Sequence, residues 1–279
     1  MFQTMKTLKG YAIQGRDGVI GKIRDLLFDD VQWTTRYLVA DTGSWLSERQ
    51  VLLSPYSFAS VDDENQRVVV DLTKQQIEDS PSLASDQPIS RQFESSHSGY
   101  FGWPNYWGTP GILGMSPKFG ILPIYSGYSG QGIDGTVVND PSQQAAPDFQ
   151  DQQILSNKGD PHLRSVNEIC GYTLIADDGE VGNVGDVIID EDGWACRYLI
   201  VATGSWWSGK NILLSPDWVE DVSWSSARAF VHMLRSIIKD APAYTNLELL
   251  TRAYEERIHD HYQRHGYWVD KQNRDPQPT

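Results

Sequence analysis

Two pairs of aspartates are the residues of this 279-residue chain best suited to general acid–base chemistry. Asp25 and Asp186, like Asp29 and Asp190, occupy equivalent positions in two similar stretches of sequence. A carboxylate can transfer protons when it reaches a substrate, but at a strand end or in a turn it more often accepts hydrogen bonds from the backbone. We therefore interpret these aspartates as structural and expect no catalytic residue.

A histidine cluster near the C-terminus is the best candidate for metal binding. His261 and His265 are four residues apart, a spacing that on a helix places two imidazoles on one face, and Asp260 or Glu256 could add an oxygen ligand. The alternative is a solvated last helical turn, where the helix dipole favours histidine. Because the earlier stretch does not repeat the cluster, we expect no metal and no other cofactor.

Other catalytic signatures are missing from the sequence. It has no Ser-His-Asp signature, no phosphate-cradling glycine loop and no paired cysteine motif. Its two cysteines, Cys170 and Cys196, align with Lys9 and Thr35, so a function common to both stretches cannot depend on them. Two cysteines are also too few for a disulfide framework, which favours a reducing compartment. We expect that the protein is not an enzyme.

These residues are carried by a tandem repeat. Residues 10–55 align without a gap with residues 171–216, and 20 of the 46 aligned pairs are identical. Weaker matches at the same offset continue to Tyr106-Trp107 and Tyr267-Trp268, so the repeat spans about a hundred residues. We predict a first repeat with its tail at 1–107, a connector at 108–165, and a second repeat with a C-terminal helix and tail at 166–279.

Turn residues in the repeat recur at the spacing typical of short antiparallel strands. Asp-Gly at 17–18 and 178–179 predicts a tight hairpin turn, and acidic turns end the following strand. Further short strands at regular spacing are typical of a small barrel, whose closure removes exposed sheet edges. We predict a mainly β protein of two small antiparallel barrels, packed on each other about an approximate two-fold axis. Six leucines should lie in or beside the cores: Leu38, Leu52, Leu53, Leu199, Leu213 and Leu214.

Short helices should flank the strands. Thr73 with Gln76, and Thr245 with Glu248, have the spacing of a capping box. In the second repeat, apolar residues recur every three or four positions, which predicts an amphipathic C-terminal helix over residues 246–263. The apolar positions are Leu247, Leu250, Tyr254 and Ile258.

The motifs of the repeat resemble those of the PRC-barrel family. They are a Gly-Tyr opening, an Asp-Gly hairpin, Gly-x-x-x-Asp, Arg-Tyr-Leu and a closing LLSP turn. The signature residues are Gly10, Asp25, Arg36 and Gly43 in the first repeat, and Gly171, Asp186, Arg197 and Gly204 in the second. The resemblance covers residues about 7–82 and 168–243, and the tails are similar to those of bacterial proteins with two such domains. It implies a strongly bent antiparallel barrel that acts as a binding or assembly module, and it implies no catalytic residues.

Tryptophans in turns are the leading candidates for partner binding. Trp45, Trp206 and Trp207 follow the Thr-Gly-Ser loops, and a large aromatic ring at a loop tip offers apolar area for little conformational entropy. Two readings stay open for them: they anchor a partner, or they plug the open end of a barrel. We interpret Trp33 and Trp194, which precede the third strand, as structural.

The segment between the repeats is unusual for a linker. From residue 95 to 133 its only formally charged residue is Lys118, and it is rich in tryptophan, tyrosine, glycine and proline. Such a run needs a surface to lie on. We favour packing on the protein's own barrels over binding to a partner or a membrane surface, and Trp103 and Trp107 are further partner-binding candidates.

Composition narrows the class of partner. The chain has 37 acidic and 23 basic residues and a formal charge of −14, which repels phosphate backbones and makes nucleic acid an unlikely partner. No stretch approaches the roughly 20 apolar residues of a membrane span, so we expect a cytoplasmic protein. We predict a non-catalytic protein-interaction or assembly module. Its protein partner is unidentified, and a second copy of the chain, forming a homo-oligomer, is one of the options. The alternative is a membrane-surface or photosynthetic-type accessory protein that uses the aromatic segment 100–128.

Overall fold

A computed structural model describes residues 1–46, 49–81, 89–105, 162–204 and 209–272. The first repeat contains strands β1 (Phe2–Thr4), β2 (Ala12–Gly15), β3 (Gly18–Asp29), β4 (Thr34–Asp41), β5 (Gln50–Leu53), β6 (Phe58–Asp62) and β7 (Arg67–Val70). Its helices are α1 (Met5–Leu8), α2 (Lys74–Glu78) and α3 (Arg91–Phe101).

The second repeat follows the same order. Its strands are β8 (Leu163–Ser165), β9 (Thr173–Ala176), β10 (Gly179–Asp190), β11 (Ala195–Thr203), β12 (Asn211–Leu214), β13 (Val219–Ser223), β14 (Arg228–Val231) and β15 (Ala243–Tyr244). Its helices are α4 (Val166–Ile169), α5 (Arg235–Asp240), α6 (Arg252–His261) and α7 (Tyr267–Gln272).

Six strands pair in the same way in each repeat. The order is β6-β7-β2-β3-β4-β5 in the first and β13-β14-β9-β10-β11-β12 in the second, where β15 also pairs with β12; among the described strands, pairing is parallel only at β7–β2 and β14–β9. The predicted hairpin turns are present, because Gly15 pairs with Gly18 and Ala176 with Gly179. The protein is therefore mainly β, as predicted.

The two sheets join into one. Strands β4 and β11 pair where Thr34 faces Ala195, so the path runs from β13 through both repeats to β6. Among the described strands, no ladder runs from β5 to β6 or from β12 to β13. The mainly β architecture is thus shown, and closure of each repeat into a barrel stays a prediction.

The first strand of each repeat pairs with the other repeat. Strand β1 pairs with β10, where Phe2 faces Asp190, and β8 pairs with β3, where Leu163 faces Asp29. Helices α1 and α4 follow these strands directly. The two contacts are equivalent in the repeat, so they form a reciprocal exchange of segments within one chain.

The core is shared by both repeats. One cluster of buried apolar side chains includes residues from each of them. All six predicted leucines are buried, although Leu52 belongs to a smaller cluster with Tyr37 and Val39, against which Phe93 of α3 packs. The prediction that these leucines lie in or beside the core is confirmed.

The helices differ in part from the prediction. The capping box of Thr73 and Gln76 is present at the start of α2. The C-terminal helix is shorter than predicted, because a 3-10 turn occupies 247–249 and α6 begins at Arg252, capped by Thr251. Asn246, rather than Thr245, caps that turn by accepting a hydrogen bond from the Leu249 amide. None of the helices in the described ranges is long and apolar enough to cross a membrane.

Candidate functional site

Asp25 and Asp186 bind the segments that the repeats exchange. The Asp25 carboxylate accepts hydrogen bonds from the Ser165 hydroxyl and from the Asn167 amide, 3.1 Å away at the start of α4. The Asp186 carboxylate accepts one from the Lys6 amide of α1 at 3.3 Å. Burial raises the pKa of both aspartates, and these donors oppose that shift. Both carboxylates therefore face the other repeat, where they accept hydrogen bonds from the first turn of its first helix.

Asp29 and Asp190 organise a turn. Asp29 accepts hydrogen bonds from the backbone amides of Val31 and Gln32 at 2.9 and 3.0 Å. Its second oxygen lies 3.7 Å from the Arg36 guanidinium. In the second repeat, Asp190 accepts a hydrogen bond from the Asp192 amide at 3.1 Å and pairs with Arg197 at 3.2 Å. The acidic turn and the signature arginine thus act together in each repeat.

These turns place two tryptophans between the repeats. Trp33 and Trp194 have left-handed backbones, with φ of 51° and 52°, and both are buried. The Thr35 amide donates to the Trp194 carbonyl at 2.8 Å, and the Cys196 amide donates to the Trp33 carbonyl at 2.7 Å. The Trp194 ring contacts Phe58 of the first repeat edge-on at 4.6 Å. Both residues join the two repeats, which agrees with their structural interpretation.

The backbone conformation explains most of the signature glycines. Gly10, Gly171 and Gly43 have φ of 92°, 105° and 61°, in the left-handed region that favours glycine. Gly21, which opens the Gly-x-x-x-Asp motif, lies so close to strand β4 that a Cβ atom would be 2.1 Å from the Asp41 carbonyl oxygen. The Gly204 amide donates to the Val181 carbonyl. The signature is thus explained by chain geometry at most of its positions.

A buried polar cluster holds α6 against β11. The Tyr198 hydroxyl donates to the Glu255 carboxylate at 2.9 Å and lies 3.2 Å from His259 Nε2, while the Tyr267 hydroxyl donates to Glu255 at 3.0 Å. Arg252 pairs with the other Glu255 oxygen at 3.0 Å. Burial raises the pKa of Glu255 and lowers that of His259, so it favours the neutral form of both.

The first repeat has the equivalent of this cluster. Tyr37 and Glu94 stand where the second repeat has Tyr198 and Glu255, and both are buried. The sequence contained a signal for it, because the tyrosine of Arg-Tyr-Leu and the glutamate of the helix match in both repeats. Since Tyr198, Glu255 and His259 are 4% exposed or less, this cluster packs a helix onto a strand and has no open face for a substrate.

The two histidines considered as weak metal-binding candidates do not lie on one helix face. Helix α6 ends at His261, and Gln263 has a left-handed φ of 53°, so His265 is not one turn further along. The His261 ring contacts the Ile237 carbonyl at 2.8 Å, and the His265 carbonyl contacts His259 Nδ1. Within the ranges that the structure covers, no group of three or more His, Cys, Asp or Glu residues could hold a metal ion.

The cysteines are poor nucleophiles. Burial raises the pKa of Cys170 to about 11 and that of Cys196 to about 12. Nucleophilic attack requires the thiolate. Both thiols are therefore protonated near neutral pH.

Trp45 lies at the surface of the first repeat. It is 37% exposed, and its indole N–H donates to the Ile20 carbonyl. The Lys74 ammonium lies 5.4 Å from the ring centroid. The ring therefore has a fixed polar edge and an accessible remainder. Three other partner-binding candidates, Trp107, Trp206 and Trp207, lie outside the described residues.

Trp103, the remaining candidate, lines a cleft at the end of α3. It stacks on Phe101 with ring centroids 4.2 Å apart, and the Tyr100 hydroxyl donates to the Gln76 carbonyl at 3.0 Å. We call this the aromatic cleft; its volume is about 370 Å³ and its lining includes Tyr56, Ser57, Leu72, Tyr100, Phe101 and Trp103. It brings the Tyr56 ring, from the turn after β5, together with rings from the end of the first repeat.

Comparison with known proteins agrees with the repeat. A sequence profile of the PRC-barrel domain matches residues 4–77 and 161–227, which together make up half of the chain. An uncharacterized protein of Deinococcus radiodurans is 36% identical over 85 residues, which are 30% of this chain and 30% of that protein. The first profile segment includes helix α1 and ends before α3. The second includes helix α4 and ends before α6.

Proposed function

The chain belongs to the PRC-barrel domain family, and on that premise we propose that it is a non-catalytic protein-interaction or assembly module built from two PRC-barrel repeats. The observation that supports this most is the position of Asp25 and Asp186. A general acid or base must reach the substrate proton. Here the repeated carboxylates accept hydrogen bonds from the other repeat, so the strongest acid–base candidates are used in assembly of the fold.

The proposal assigns function to surfaces that the exchange leaves accessible. In the first repeat these are the exposed part of Trp45 and the aromatic cleft beside Trp103. Partly exposed, well-anchored aromatic rings are typical centres of protein interfaces. Trp107, Trp206 and Trp207 stay candidates on the basis of sequence alone. We propose a protein partner, either another protein or a second copy of this chain.

An affinity pull-down with mass spectrometry tests the proposal. The bait is the full chain, compared with Trp45→Ala combined with Trp206→Ala, and with Val31→Ala as the control. Val31 is an apolar residue that is 65% exposed, in a turn outside these surfaces. We expect the wild type and the control to retain the same partner and the double variant to lose it. Equal retention by all three baits would show that these tryptophans are not the anchors.

The alternative uses the same aromatic rings differently. Tyr100, Phe101 and Trp103 are only partly buried, so the described start of segment 100–128 presents apolar rings to solvent. Co-sedimentation with vesicles of anionic and zwitterionic phospholipid separates the two functions. A membrane-surface protein sediments with the vesicles, whereas a protein-interaction module stays in the supernatant and is retained only by its partner.

A further inference from the structure

The two repeats fill one position very differently. Position 57 is serine in the first repeat, and its equivalent in the second is Trp218. The Trp218 ring is 8% exposed. It packs edge-on against His259, with centroids 4.9 Å apart, and against Tyr262 at 4.8 Å. An indole therefore fills the space beneath the end of α6.

The first repeat fills the equivalent space only in part. The small Ser57 side chain donates its hydroxyl to the Ser54 carbonyl at 2.7 Å. The aromatic cleft lies beside it, bounded by Phe101, which is the counterpart of Tyr262. Phe101 is half-buried, whereas Tyr262 is buried. The same end of the helix is thus sealed in one repeat and open in the other.

Trp103 replaces Trp218 only in part, although it too packs near a histidine ring, that of His97, at 5.8 Å. It comes from the chain after α3, where the second repeat has Arg264, and it stacks almost parallel on Phe101, with an interplanar angle of 12°. Trp218 meets Tyr262 at 50°. The volume of about 370 Å³ is what stays open with Trp103 in place. Trp103 is therefore a wall of the cleft.

We propose that the aromatic cleft binds a tryptophan side chain presented by a partner protein, in the way that the second repeat holds its own Trp218. This rests on the proposed function and names its site. The rings of Tyr100, Phe101 and Trp103 supply stacking surfaces for an indole. Asp71, whose carboxylate also pairs with Arg16, supplies an acceptor for the indole N–H.

Titration of the full chain with N-acetyl-tryptophanamide, followed by calorimetry and ligand-observed NMR, tests the proposal. At the ligand efficiency of drug-sized molecules, we expect one site with a dissociation constant on the order of 0.1–1 mM. N-acetyl-leucinamide is the control probe and should bind at least tenfold more weakly, because it offers no ring to stack.

Two variants locate the site. Ser57→Trp copies the second repeat and should abolish binding by filling the cleft. Tyr100→Ala removes an exposed ring from the lining and should weaken binding several-fold, so the test does not depend on folding of the larger substitution. Unchanged binding by both variants would overturn the proposal, as would equal binding of the leucine probe.

The reverse variant adds an independent readout. Trp218→Ser should open the matching cleft in the second repeat and raise the stoichiometry from one to two. Binding by this variant but not by the wild type would overturn the proposal, because the first cleft would then be closed by the chain itself. If the wild type binds the probe but no protein is retained in the pull-down, the proposed function fails and the cleft stands. If a partner is retained equally by Ser57→Trp, and the probe does not bind, only the cleft proposal fails.

Discussion

The carboxylate of Asp25 accepts a hydrogen bond from the backbone amide of Asn167, which is 3.1 Å away and 142 residues later in the chain. Its counterpart Asp186 accepts one from the amide of Lys6. A free amide at a helix start needs an acceptor, and the negative charge of a carboxylate there also interacts favourably with the helix dipole. The aspartate of the Gly-x-x-x-Asp motif therefore binds the backbone of the first helix of the other repeat.

Replacing Asp25 should destabilise the protein. Asp25→Ala leaves the partly buried Ser165 hydroxyl without its acceptor, and an unsatisfied buried donor costs about 1–3 kcal/mol, whereas the exposed Asn167 amide can turn to water. Urea unfolding of the full chain measures the loss. Glu64→Ala, at an exposed acidic residue, is the control and should change the free energy of unfolding by less than about 0.5 kcal/mol. Equal effects of the two variants would show that the interaction contributes nothing.

The exchange also predicts that the two halves assemble without a covalent link. Residues 1–133 and 134–279, co-expressed as separate chains with a tag on the first, should purify together and coelute in size exclusion. Among the described strands, three ladders join them: β1 on β10, β8 on β3 and β4 on β11. A second half that starts at residue 166 lacks β8 and should be retained less. Separate elution of the intact halves would contradict the reciprocal exchange.

The buried His97 should contribute to the dependence of stability on pH. His97 is 1% exposed; its Nε2 lies 3.0 Å from the Leu52 carbonyl, and its Nδ1 has no partner. Burial lowers the pKa of His97 from 6.5 to about 4. The folded state thus binds the proton more weakly than the unfolded state. The stabilisation is complete above pH 6.5 and is lost as the pH falls towards 4, by up to roughly 3 kcal/mol.

The second repeat supplies the matched variant. Ile258 occupies the position of His97, so His97→Ile keeps an apolar fit and removes the titrating group. Urea unfolding at pH 7.5 and pH 4.5 should show a smaller loss of stability for the variant than for the wild type. Identical losses would mean that the His97 imidazole is already protonated in the folded state or does not titrate in this range.

The parts of the fold that depend on residues close together in sequence were predictable. The Asp-Gly hairpins, the buried leucines and the capping box of Thr73 depend on neighbouring residues, and sequence spacing reports neighbours directly. The exchange of β1 and β8 depends on three-residue strands that pair across the whole chain, and such short strands leave no periodic signal. Helix α6 starts late because the Asn246 side chain stabilises a competing turn.

The candidate site was predictable only in part. Repeat matching identified Asp25 and Asp186 as equivalent, and turn chemistry identified them as acceptors, but neither could name the distant amides that donate to them. The aromatic cleft arises from a difference between the repeats, Ser57 in the first and Trp218 in the second. A comparison of the residues that the repeats share could therefore not find it. Positions at which equivalent cores differ in volume are the better signal for a pocket.

The last prediction concerns the buried cluster beneath α6. Tyr198→Phe removes the hydroxyl that donates to Glu255 and contacts His259, which leaves two buried groups each with one partner fewer. We expect a loss of about 1–3 kcal/mol in the free energy of unfolding, measured in urea. Tyr100→Phe makes the same chemical change at a residue that is 44% exposed, where water replaces the lost partner, so it should cost less than about 0.5 kcal/mol. If both variants unfold at the same urea concentration as the wild type, the cluster contributes no net stability and α6 is held by its apolar contacts alone.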